Sequence, residues 1–159
     1  MKVLFLDIYP RKNFRIIKDT NGSYGTANDF GDGFLAKFLK FLTKKNLFWP
    51  TTHTAYTLSV LRNQDLEVKY SNIFLDNYDF YIVNSSIVSH ESELYEIREM
   101  VKKNCKVITV GPFASNNPES YLKAGSWVVA NEPEFFFMNN DILEIDYSHP
   151  KLLIDSKNK

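Results

Sequence analysis

The side chains of this 159-residue chain best placed for chemistry are those that follow directly on short apolar runs. Asp7, Tyr9 and Pro10 come after Val3-Leu4-Phe5-Leu6, and Asn84, Ser85 and Ser86 after Phe80-Tyr81-Ile82-Val83. Gly111, Pro112, Phe113 and Ala114 come after Val107-Ile108-Thr109-Val110, and Asn131, Glu132 and Glu134 after Trp127-Val128-Val129-Ala130. If the runs are parallel strands, all four groups meet at one sheet edge, where ligands of such sheets bind. Asn84-Ser85-Ser86 offers amide and hydroxyl groups, and Gly111 would let a ligand approach the backbone. Ordinary turn and capping chemistry accounts for the same residues equally well.

Other constellations carry less. Glu132 and Glu134 could form an acid/base pair, but acidic residues at a helix start favour the positive helix end, so capping is expected. His53, His90 and His149 are far apart, with no second ligand at metal spacing, and each reads as a surface or capping histidine. Cys105 is the single cysteine, which rules out a disulfide or a thiolate-held metal or iron–sulfur site within one chain; a buried structural thiol is expected. There is no Walker-type loop, and no G-x-G-x-x-G follows the first apolar run. A phospho-acceptor receiver domain would use Asp7, but the run ending in Asn84 and the missing lysine after the last run argue against it. A stand-alone enzyme could use Asp7 or Glu132 as a base, yet no nucleophile–base–orienter set can be read, so no catalytic residue is assigned.

The elements that position these residues alternate. Residues 2–7 read as a buried strand, followed by a long loop from Arg11 to Gly33 that holds four of the six glycines. Phe34, Phe38, Phe41 and Leu42 suggest an amphipathic helix to about Lys45. Trp49-Pro50-Thr51-Thr52 looks like a helix entrance, with Ala55, Leu58, Val60 and Leu61 as its apolar stripe. Residues 67–70 form a second strand and residues 80–83 a third, with Leu94, Ile97, Met100 and Val101 on one face of the helix that follows. Residues 107–110 form a fourth strand; a helix starts at Asn117-Pro118 and stops at Gly125; residues 127–130 form a fifth. Lys102, Lys103 and Lys106 suit a solvated helix end. Ile142, Leu143 and Ile145 suggest a short strand or edge extension, before a polar tail at 156–159. The fold class is therefore α/β, a doubly wound, mostly parallel, five-stranded Rossmann-like sheet, with a domain at 1–138 and an extension at 139–159.

Composition narrows the partners. Lysine plus arginine equals aspartate plus glutamate at 19 each, so no basic field favours nucleic acid or an anionic membrane. No apolar run suits a signal peptide or a membrane span, so a cytoplasmic location is expected. Thirteen Phe and nine Tyr exceed what a small core needs, which points to aromatic surface facing a ligand or another domain.

The strand-end pieces together, Asn84-Ser85-Ser86, Val110-Gly111-Pro112-Phe113-Ala114, Asn117-Pro118-Glu119 and Val128 to Glu134, resemble the amino-terminal cobalamin-binding domain of radical S-adenosylmethionine enzymes. The resemblance spans residues 1–138 and is strongest over 80–138. In that family the fourth strand ends in Gly-Gly-Pro-His-Ala or similar and the fifth in Val-x-Gly-Glu-Gly-Glu. It implies a corrinoid over the strand ends, nearest Tyr9, Pro10, Asn84, Ser85, Ser86, Gly111, Pro112, Phe113, Asn131 and Glu132. The Asp-x-His-x-x-Gly motif of histidine-ligating cobalamin proteins is missing: Tyr9 and Lys12 stand at its histidine and glycine positions, so no cobalt–histidine bond is expected from this loop. The family's Cys-x-x-x-Cys-x-x-Cys cluster motif is absent as well. The resemblance thus implies a detached, split or truncated module, not catalytic alone, with a separate radical S-adenosylmethionine catalytic subunit as partner. The alternative is an interaction module that kept the fold and lost the ligand, suggested by Asn131 and Pro133 standing in place of glycines.

Overall fold

The computed structural model describes residues 1–9, 33–38 and 52–155. Strands β1 (Lys2–Leu6), β2 (Glu67–Ser71), β3 (Phe80–Asn84), β4 (Lys106–Val110), β5 (Trp127–Val129) and β6 (Leu152–Leu153) form one sheet in the order β2-β1-β3-β4-β5-β6. Every pairing is parallel. The α/β, Rossmann-like, doubly wound architecture expected from the alternation is present, with six strands among the described residues in place of five. The additional strand is β6: Val128 N–H donates to the Lys151 carbonyl and Ala130 N–H to the Leu153 carbonyl, at 3.2 and 2.8 Å. Ile142, Leu143 and Ile145, expected as a short strand or edge extension, lie in and just after a 3₁₀ turn (Ile142–Glu144) capped by the Asp141 carboxylate, which accepts from Leu143 N–H. An Asp side chain that competes for the backbone in this way favours a turn over a ladder.

The inner strands β1, β3, β4 and β5 are largely buried on both faces because successive positions alternate between two cores, while the edge strand β2 has no buried residue. Val3, Phe5, Phe80, Ile82, Ile108, Val110 and Val129 pack on one face against helices α1 (Thr52–Arg62) and α5 (Pro133–Asn139), through Leu58, Leu61, Phe136 and Phe137. Leu4, Leu6, Tyr81, Val83, Val107 and Val128 pack on the other against α2 (His90–Lys102) and α4 (Pro118–Lys123), through Leu94, Ile97, Met100 and Tyr121. The short helix α3 (Pro112–Asn116) connects β4 to α4. Each of these aliphatic side chains, fully removed from water, contributes roughly 1.5–3 kcal/mol.

Two details of the sequence reading change. In α1 the buried positions are Thr54, Thr57, Leu58 and Leu61, the i, i+3, i+4, i+7 set, while Ala55 is exposed. The inward stripe of α1 therefore begins with two threonines. Residues 34–38 are helical, but Phe34 and Phe38 are exposed and Ala36 is the buried member. Phe41, Leu42, Trp49-Pro50, most of the loop after β1 and the tail at 156–159 lie outside the described residues.

Among the described residues, no helix is long and apolar enough to cross a membrane.

Candidate functional site

Consecutive strands run outward from β1 to β2 on one side and from β3 through β6 on the other, so the topological switch point lies between β1 and β3. A cleft of about 390 Å³ opens beside it, at the carboxyl edge of the sheet. Phe5 and Val110 supply its apolar lining; Asn84 comes from the end of β3, and Gly111, Pro112, Ser115 and Asn116 from the β4–α3 turn. His53, Thr54 and Thr57 enter from the first turns of α1, and Asn131, Glu132 and Pro133 from the start of α5. The two threonines that interrupt the apolar stripe of α1 are thus the part of that helix that faces a polar cavity.

Five of the ten residues expected near a ligand line this cleft: Asn84, Gly111, Pro112, Asn131 and Glu132. Four others are placed elsewhere. Ser85 is buried, and its hydroxyl accepts from Ala114 N–H at 2.9 Å, tying the β3 end to α3. Ser86 is buried too, and its N–H donates to both oxygens of Glu93 at 3.0 and 3.2 Å. Phe113 packs edge-on against His90 and Tyr121, in the opposite layer from α1 and α5. Tyr9 lines a separate hollow of about 250 Å³ with Leu6, Ile8 and Phe74, and its hydroxyl donates to Asp7 at 2.7 Å. Pro10 lies outside the described residues.

The role expected of Gly111 also changes. Its φ of +104° falls where side chains are strained, and a Cβ there would sit 3.0 Å from Ser85 Oγ and 3.1 Å from Asn84 Oδ1. The turn after β4 is pressed onto the end of β3, so glycine is required by protein packing as well as by its place on the cleft wall. Asn131 has φ +66°, a region that asparagine tolerates best among non-glycine residues, and its N–H donates to Ser115 Oγ at 2.9 Å. That bond joins the β5–α5 turn to α3 across the cleft wall.

Polar groups behind the cleft are tightly coupled. Asp7 is buried at the end of β1, accepts from Tyr70 Oη at 2.8 Å, and lies 3.5 Å from Asn84 Nδ2, which is also 3.5 Å from Thr54 Oγ1. Burial, reinforced by the Asp7 carboxylate, holds the Tyr70 phenol protonated well above the usual tyrosine range. On the other face Glu93 is fully buried and accepts from Tyr121 Oη at 2.7 Å; that oxygen also lies 3.1 Å from His90 Nδ1. Burial first and Glu93 second push the Tyr121 phenol upward in the same way. His90, read as a surface or capping residue, is instead packed between two aromatic rings. Cys105 is half-buried, and burial pushes its thiol up.

Sequence reasoning missed His53, Thr54, Thr57, Ser115 and Asn116. Of these only the threonines left a trace, as polar residues at inward helical spacing. His53, expected to have no ligand partner, stands beside Glu132 and Glu134: its Nδ1 is 3.8 Å from Glu132 Oε2 and 3.7 Å from Glu134 Oε1. Glu132 occupies the N-cap position of α5 and Glu134 its first turn, the helix-start placement expected of the pair, although the Glu132 side chain makes no capping hydrogen bond.

Comparison with protein-family models, with curated proteins and with solved structures returns no match for this chain.

Proposed function

We propose that the chain is a corrinoid-binding module that holds its ligand across the carboxyl edge of the sheet and is not catalytic alone. The observation that carries this reading is the cleft at the β1/β3 switch point, which gathers Asn84, Gly111, Pro112, Asn131 and Glu132 in one wall. Its volume of about 390 Å³ is small among ligand sites, which run roughly 300–1,000 Å³. A whole corrinoid exceeds it, so the cleft would take one arm of the ligand while the ring lies outside over the strand ends. A nucleotide arm suits the accessible lining: a base would meet the ring of Pro112, and its sugar and phosphate the amides and hydroxyl of Asn84, Ser115, Asn116 and Asn131. A corrinoid held this way would supply a cobalt centre for methyl transfer; the residues of this chain would bind and orient it for a separate radical S-adenosylmethionine catalytic subunit.

The test is a visible-spectrum titration of the purified chain with hydroxocobalamin and methylcobalamin beside Asn116→Trp. Asn116 is exposed on the cleft wall, so the larger ring obstructs the opening without disturbing the core. A saturable spectral change with the parent chain, lost in the variant, is the expected result. A folded parent chain that produces no change well above micromolar corrinoid would sink the reading.

One observation favours a second reading, an interaction module that kept the fold and lost the ligand. Phe135 and Met138, three residues apart on α5, are 57% and 66% exposed. A folded chain silent to corrinoid, but self-associating in a way that Phe135→Ser abolishes in sedimentation, would favour it.

A further inference from the structure

We infer that His53, Glu132 and Glu134 form a site for a divalent transition-metal ion of the zinc type at the mouth of the cleft, independent of any corrinoid. The three residues come from two elements, α1 and the start of α5, that meet only in the folded chain. Their ligand atoms all lie within 4.8 Å of one another, and His53 Nδ1 is 3.8 and 3.7 Å from the two carboxylates. Ligands around a tetrahedral zinc with bonds of about 2.0–2.1 Å stand about 3.3 Å apart. The two imidazole–carboxylate spacings therefore have to contract by about half an ångström, and no pair in the set by more than about 1.5 Å. His53 and Glu132, at 46% and 57% exposed, have the freedom to do so, while Glu134, at 17%, provides the fixed member.

A second observation sets the group apart from an ordinary surface ion pair. Glu134 Oε2 is buried and has no hydrogen-bond partner, an arrangement that costs stability unless something else satisfies the oxygen. Two carboxylates set beside each other repel, and a dication between them and the imidazole removes both penalties. One nitrogen with two carboxylate oxygens suits Zn²⁺ or a neighbouring first-row ion, whereas Mg²⁺ and Ca²⁺ prefer oxygen alone. Three protein ligands leave a further coordination position, as in catalytic rather than structural zinc sites. Since His53 and Glu132 also line the cleft, that position faces the cleft and would take water or an anionic oxygen of a molecule bound there.

The experiment is a calorimetric titration of the full chain with Zn²⁺ alone, repeated on His53→Gln, Glu134→Gln and the control His149→Gln, which alters another exposed histidine. The expected result is one Zn²⁺ per chain, with affinity reduced by about tenfold or more in His53→Gln and Glu134→Gln and unchanged in the control. Co²⁺ substituted for Zn²⁺ gives visible d–d bands that the same two variants remove, a readout that a purely structural ion pair does not produce. The altered side chains lie at the surface or its margin, and circular dichroism verifies that each variant folds. Absence of saturable binding overturns the site, as does binding that survives both substitutions within about twofold or that is lost instead on Cys105→Ser.

Discussion

The turn that leaves β3 and the turns that leave β4 and β5 are built from similar small and polar residues, yet they have opposite fates. At the β3 end, Ser85 and Ser86 are turned inward; Ser85 Oγ is held by Ala114 N–H and the Ser86 N–H by the Glu93 carboxylate. At the β4 and β5 ends, Gly111, Asn131 and Glu132 border an open cleft. The difference comes from what stands behind each turn. A buried glutamate on α2 reaches back to the β3 turn and fills it, whereas α1 presents threonines to the other two and leaves space. A polar strand end becomes a site only where the neighbouring helix supplies no group to occupy it.

The largest effect on this contrast is expected from Glu93→Ala. It strands the Ser86 N–H in the interior, removes the carboxylate from the Tyr121 hydroxyl while leaving His90 beside it, and should cost about 3 kcal/mol in denaturant unfolding. An unchanged midpoint would mean that the β3 turn is not held by Glu93 and the comparison fails.

Gly111→Ala is next, at about 2 kcal/mol, because the added Cβ meets Ser85 at a φ that alanine avoids. A loss well under that figure would show the β4 turn to be looser than its packing against β3 indicates.

Alkaline unfolding compares the two regions directly. Tyr70 behind the cleft and Tyr121 behind the closed turn both have phenols raised above the ordinary value. Once the pH passes about 10, the unfolded chain loses phenolic protons that the folded chain retains, so the stability these groups contribute is present below that pH and is lost as pH rises. Unfolding free energies from urea titrations at about pH 9 and about pH 11 should differ by an amount on the order of 1 kcal/mol per tyrosine, and Tyr70→Phe or Tyr121→Phe should each flatten the pH dependence. The smallest effect belongs to Asn131→Gly, expected within about 0.5 kcal/mol of the parent, since glycine also accepts the positive φ of the β5 turn.

The strand ends were legible in the sequence because period and punctuation report them: apolar runs buried on both faces have clear ends, and each end has a polar or glycine signal. Even the helix from Asn117-Pro118 to Gly125 follows from local chemistry, with Pro118 at its first position and Gly125 at φ +97° just past its end. Which side of the turn a residue faces was not legible. Ser85 and Asn84 are adjacent and both polar, but only Asn84 reaches the cleft, a choice made by Ala114, far along the chain, whose N–H takes up the Ser85 hydroxyl. The meeting of His53 with Glu132 and Glu134 depends on the packing of α1 against α5 and leaves no trace in residue spacing. The short β6 was missed because two residues carry no detectable alternation.

That small sixth strand has a consequence for how the protein behaves in company. It takes up the outward-facing amides of Val128 on β5 and of Ala130 just past it, beside a strand whose three residues are all buried. Clipping the chain ahead of Lys151 would bare an apolar rim with free amide donors, the kind of border along which one copy recruits the next into a growing ribbon. Leu152 and Leu153 therefore work as a selvedge, finishing the woven edge so that it does not pick up a neighbour's thread.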